Sequence, residues 1–162
     1  MFDLASMRLI LTTVIADAST VAVLGCGSPL RGDDAAGSLV AIRLGDLTGQ
    51  ARAFYGDVAP ENLTGEIKRF HPELLLVIDI VDAGLAVGEL AVIPLEKISG
   101  VSFSTHKLPL PIMLDYLEQE IACRIVVLGI QATNLEFMSE MTPEVSQTVD
   151  ALAAELRLLL ES

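Results

Sequence analysis

Three residues of this 162-residue sequence combine a reactive side chain with a setting in which chemistry is plausible. Asp34 closes the glycine-rich run Gly25-Cys-Gly-Ser-Pro-Leu-Arg-Gly-Asp-Asp34, Asp79 interrupts the otherwise apolar Leu74-Leu-Leu-Val-Ile-Asp-Ile-Val81, and His106 is one of only two histidines. A carboxylate inside an apolar strand is costly unless it is paired, hydrogen-bonded or coordinated, so Asp79 needs a reason. Two carboxylates and one imidazole suit a divalent transition metal with open positions better than structural zinc, which closes on nitrogen and sulfur ligands. Plainer readings stand beside these. Asp33 or Asp34 caps the helix that follows, His106 is a solvated loop residue, Asp79 is internally hydrogen-bonded, and His71, before Pro72, is a cation at a helix C-terminus.

Other catalytic templates fit poorly. A dinucleotide GxGxxG beginning at Gly25 needs glycine at Leu30, and the Walker-like spacing from Gly27 to Gly32 is followed by Asp33-Asp34, where phosphate requires Lys and Ser or Thr. There is no HExxH and no GxSxG. Cys26 reads as a small buried residue at a turn, and Cys26 and Cys123 are too far apart in sequence for a CxxC pair, which fits reduced thiols and a cytoplasmic location.

The elements that must position these residues alternate from residue 20 onward between apolar strands and amphipathic helices, an α/β layout. A strand over 21–24 leads through the glycine-rich loop into a helix with Ala36, Val40, Leu44 and Leu47 on one face. A weaker strand over 51–55 leads to a helix opened by Pro60, with Leu63, Ile67 and Phe70 inward. Residues 74–81 form the central parallel strand, so Asp34 and Asp79 can converge where strand order reverses. The strand over 89–95 carries Pro94, which lacks a ladder amide and belongs at an antiparallel edge. The loop with Thr105-His106 precedes a helix with Leu110, Leu114, Leu117 and Ile121 inward. Residues 124–130 form another buried strand, and Thr142-Pro143 caps a last helix with Val145, Val149, Leu152, Leu156 and Leu159 on one side.

At the N-terminus, residues 1–8, the apolar stretch 9–16 and Ala16-Asp17-Ala18 superficially fit a cleavable signal. Asp3, Thr12 and Thr13 argue against it, and the helical spacing of Leu4, Met7, Leu11 and Val14 reads as a packed helix. With 52% apolar residues the chain can bury a sizeable core as one domain over 1–162. Ten basic and twenty-two acidic residues give a formal charge of −12, which excludes nonspecific binding to nucleic acid or an anionic membrane and favours neutral or basic partners.

Three segments in register resemble the hydrogenase maturation endopeptidases: Gly25 through Asp34 with Gly37, Leu76-Val-Ile-Asp79-Ile-Val-Asp82, and Ser104-Thr-His106-Lys-Leu-Pro-Leu110. Ala59-Pro-Glu-Asn62, Leu128-Gly-Ile-Gln131 and Met141-Thr-Pro143 look like the branch that processes formate-hydrogenlyase-type NiFe-hydrogenase large subunits. The resemblance runs from about residue 20 to 160, leaving the helix within residues 1–19 outside the common core. It implies a three-layer α/β/α fold, with a twisted five-stranded, mostly parallel sheet and one antiparallel edge strand.

The activity implied is endopeptidase removal of a C-terminal extension from the large-subunit precursor after nickel insertion. The metal-contacting positions carry over to Asp34, Asp79 and His106, with nickel supplied by the precursor and the isolated monomer largely metal-free. Two departures stand out. Ser28 replaces the usual asparagine, though serine can still bond locally, and Tyr55-Gly56-Asp57 replaces the more frequent Asp-Gly-Gly, which weakens a substrate role for Asp57. A noncatalytic nickel-binding module using the same residues and, more distantly, a receiver-type signalling domain are the alternatives. The receiver reading lacks a lysine after the last strand, where Gly129-Ile-Gln131 stands.

Overall fold

A computed structural model describes residues 3–103 and 110–161. Five strands form one mixed sheet in the order β2-β1-β3-β6-β4, from β1 (Val21–Cys26), β2 (Ala51–Asp57), β3 (Leu74–Asp82), β4 (Leu90–Pro94) and β6 (Arg124–Gln131). β1 pairs in parallel with β2 and β3, β3 pairs in parallel with β6, and β4 runs antiparallel along β6. Pro94 stands opposite Val126 on this edge strand, where its missing amide costs nothing. A two-residue strand that the sequence pattern does not announce, β5 (Ser102–Phe103), pairs antiparallel with Val81 and Asp82 at the end of β3. The β1–β3 ladder has already ended at Gly25 and Ile78, and β6 occupies the other edge of β3 through Val81. β5 therefore takes up the edge that β1 vacates, at the carboxyl end of the sheet.

The alternation of β3 sorts the core into two layers. Leu74, Leu76, Ile78 and Ile80 join Val21 and Val23 under α1 (Leu4–Ile15), α2 (Ala36–Leu44) and α5 (Pro143–Leu160). Leu75, Val77 and Val81 join Ala22, Leu24 and Cys26 on the opposite face, under α3 (Thr64–Phe70) and α4 (Leu110–Glu120). Both faces of the sheet are thus covered, and that is why β3 can be apolar throughout except at Asp79.

Helix α1 buries Met7, Leu11 and Val14 in the first layer, as the helical spacing leads one to expect, and each such side chain contributes about 1.5–3 kcal/mol. Its Arg8 holds Glu155 of α5 with two hydrogen bonds of 2.9 and 2.7 Å. Helix α2 ends earlier than its apolar stripe suggests: Gly45 takes a positive φ of 52°, and Leu47 packs on the core from beyond the helix. No described helix is long and apolar enough to cross a membrane.

Candidate active site at the carboxyl end of the sheet

β2 and β3 flank β1 on opposite sides, so the chain reverses direction across the sheet at the carboxyl ends of β1 and β3, the position at which open α/β sheets bind their ligands. One step beyond the last β1–β3 pair, Gly25 with Ile78, stand Cys26 and Asp79. Both are completely buried, and alternation puts Asp79 on the same face as Val77, Val81 and Cys26. The Ile80 amide donates to Asp79 Oδ1 at 2.8 Å.

Asp34 arrives from the loop after β1. It is 5% exposed, its Oδ2 accepts from the Ser28 amide at 3.0 Å, and its Oδ1 is shielded from solvent with no hydrogen-bond partner among the described residues. The bend that brings it back requires Gly27, whose φ is +126° and where an added Cβ would lie 1.8 Å from the Asp34 carbonyl oxygen. Ser28 in the place of asparagine still bonds locally, its hydroxyl accepting from the Leu30 amide at 3.3 Å.

The expectation that Asp33 or Asp34 caps the following helix is not met. A 3-10 turn over Gly32–Ala35 precedes α2, and neither this turn nor α2 receives a side-chain cap. Asp33, fully buried, instead accepts four hydrogen bonds: Oδ2 from the Thr133 and Asn134 amides at 3.0 Å each and the Thr142 hydroxyl at 2.8 Å, and Oδ1 from the Thr142 amide at 2.7 Å. Thr142 stands at the N-cap position of α5 but its hydroxyl serves Asp33 and does not cap the helix. Because β3 separates β1 from β6, this carboxylate draws the loop after β6 across the top of β3 and clamps it to the loop holding Asp34.

Electrostatics mark the same place. Burial pushes the Cys26 thiol well above its ordinary range, and the negative charges of Asp79, Asp34 and Glu61 push it further, which keeps it a neutral thiol. Glu61 belongs to the 3-10 turn Pro60–Leu63 after β2, and its Oε2 is a second shielded oxygen without a partner. Sequence reasoning passed over Asp33 and Glu61 as site residues. Only the Pro60-Glu-Asn62 segment within a lesser family echo pointed toward Glu61. His106 lies outside the described residues. Among the described residues, no three His, Cys, Asp or Glu side chains converge closely enough to hold a metal ion by themselves.

Comparison with known proteins places this arrangement. A family model described as hydrogenase maturation protease, HycI, matches residues 50–157. The hydrogenase 3 maturation protease of Escherichia coli K12 is 32% identical over 139 residues, covering 85% of this chain and 88% of the relative. The crystal structure of the NiFe hydrogenase maturation protease HycI from Thermococcus kodakarensis superimposes with a TM-score of 0.86 at 30% identity, covering 94% of this chain and 99% of that one. The solution structure of the endopeptidase HycI from Escherichia coli gives a TM-score of 0.74 at 32% identity over 83% of this chain and 87% of that one.

Proposed function

The chain belongs to the hydrogenase maturation protease family, and from that premise we propose that it removes the C-terminal extension of a NiFe-hydrogenase large-subunit precursor after nickel insertion, using Asp34, Asp79 and His106 to face the nickel the precursor carries. The observation that carries this reading is Asp34 Oδ1, an oxygen of a carboxylate 5% exposed that lacks a donor of its own. A shielded anionic oxygen without a donor favours an incoming cation. Asp79 is buried at the neighbouring strand end, and His106 is three residues beyond Phe103, which pairs with Val81.

Nickel is part of the substrate here, held by the precursor's own thiolates and presented to this protein's side chains. Docking it on two carboxylates and an imidazole places the adjoining peptide across the crevice, converting recognition of the metal into positioning of the scissile bond. The metal-facing groups must be deprotonated, so affinity for loaded precursor falls on acidification. A protein substrate also fits the rim. Leu30, Phe137 and Met138, on the two clamped loops, are exposed, and a cavity of about 120 Å³ lined by Ile80, Val81, Asp82, Phe103, Thr133 and Leu135 opens at the end of β3. The protein acts as a monomer in the cytoplasm, where the precursor is assembled.

The test is intact-mass spectrometry of the large-subunit precursor, nickel-loaded and nickel-free, after incubation with the wild type and with D34A, D79A and H106A. A discrete C-terminal mass loss from the loaded precursor alone, abolished in the three variants, is expected. Nickel-dependent complex formation without mass loss would make the protein a binding module, and equal cleavage of both precursors would remove nickel from recognition.

A further inference from the structure

We infer that Glu61 is a substrate-binding residue of the crevice, its carboxylate receiving an N–H donor of the bound peptide next to the scissile bond; this rests on the reading that the crevice takes a precursor peptide. The backbone places it there. β2 carries a register shift opposite Gly25 and Cys26, and Gly56 lies in that irregular step. A Cβ on Gly56 would stand 2.7 Å from the Gly25 carbonyl oxygen, 3.1 Å from Pro60 Cβ and 3.3 Å from Leu24 Cδ1. The missing side chain lets the Pro60–Leu63 turn close on the carboxyl end of β1.

The turn is held by local hydrogen bonds: the Asn62 amide donates to the Ala59 carbonyl, and the Thr64 hydroxyl donates to the Glu61 carbonyl at 3.1 Å. The Glu61 residue is half-buried, and its side-chain Oε2 is shielded from solvent and accepts from no donor among the described residues.

An independent observation points the same way. Asp34 is 5% exposed and its Oδ1 also lacks a donor, and Asp34, Asp79 and Glu61 all act on the one buried thiol of Cys26. Two shielded oxygens without donors among the described residues are expensive in the unbound protein, so their donors are supplied by what binds there. The described side chains do not close into a chelate, so Glu61 is not assigned to the metal. A peptide supplies one N–H per non-proline residue, and a formal charge of −12 favours a basic segment, so an amide or a cationic side chain meets the need.

The experiment compares wild type, E61Q and E61A in two readouts: the melting temperature of the substrate-free protein, and the Kd for nickel-loaded precursor by biolayer interferometry. E61Q removes a charge from a side chain whose Oε2 is shielded and has no donor among the described residues, and it is expected to melt about 2–4 °C higher than the wild type. E61A is expected to weaken precursor binding at least about tenfold, the loss that goes with a hydrogen bond to a charged group. E61Q separates the donors. Near-wild-type affinity assigns a backbone amide, for which the glutamine oxygen still accepts, and affinity as weak as that of E61A assigns a cationic side chain. Unchanged affinity in E61A, or a melting temperature of E61Q below the wild type, overturns the inference. Wild-type binding without cleavage overturns the protease reading alone, and no wild-type binding overturns both.

Discussion

Replacing Asp33 by asparagine changes one atom of a completely buried side chain and puts a donor where the protein offers only donors. The carboxylate accepts from three backbone amides and one hydroxyl, all at 2.7–3.0 Å. The best placement of the asparagine oxygen keeps the three bonds made by Oδ2 and turns the amino group onto the Thr142 amide. Each retained bond loses its charge assistance, about 1 kcal/mol apiece, and the clash at Thr142 leaves an amide unsatisfied at about 1–3 kcal/mol. Easier desolvation of a neutral side chain offsets part of this, leaving a net loss of about 2–4 kcal/mol. For a chain of this size that lowers the melting temperature by roughly 5–15 °C, measurable by calorimetry or urea titration. T142V, which replaces only the hydroxyl, is expected to cost about 1 kcal/mol. The functional consequence follows from chain connectivity, since release of the clamp frees the loop that aims Asp34. Precursor processing by D33N should therefore fall even at temperatures where the variant is folded. A D33N protein within about 0.5 kcal/mol of the wild type, with normal processing, would refute the clamp.

Three further expectations follow from single contacts. G27A must place a Cβ 1.8 Å from the Asp34 carbonyl oxygen at φ +126°, so it should lose more than about 1 kcal/mol of stability and its processing activity; wild-type denaturant midpoint and activity would contradict this. The Glu155 carboxyl is held below its ordinary pKa by hydrogen bonding and charge attraction from Arg8, so its contribution is present above the unfolded carboxyl pKa and disappears as pH falls through the lowered folded value. The stability gap between wild type and R8M should then close on acidification below about pH 4, and a gap constant from pH 7 to pH 2 would show that the ion pair is not its source. Burial, then the nearby Glu118, pushes the half-buried Cys123 thiol up to about 11, while Cys26 is fully buried and higher still than its ordinary value. A thiol reagent at pH 8 should label Cys123 slowly and Cys26 only on unfolding, and rapid labelling of two thiols in the native protein would contradict both environments.

Much of the scaffold was legible from neighbouring residues alone. An apolar run broken only by Asp79 becomes β3, Pro94 sits on the edge strand, and Val145, Val149, Leu152 and Leu156 form the buried stripe of α5, because periodicity and backbone propensity are local properties. The strand pattern also set Asp34 after β1 and Asp79 at the end of β3, and the structure pairs these two strands, whereas His106 lies outside the described residues. What the sequence could not contain is the partner of each polar group. Asp33 looked like a helix cap because Asp before a helical stripe usually is one, yet its donors come from residues about a hundred positions away, across an intervening strand. Glu61 stood in the sequence only as part of Ala59-Pro-Glu-Asn62, and the shielding of its Oε2 becomes visible only once its turn has closed on Gly56 and β1. Strand order decides both cases. A hydrogen bond or a desolvated charge depends on distances through space, and those distances exist only after the sheet has been assembled.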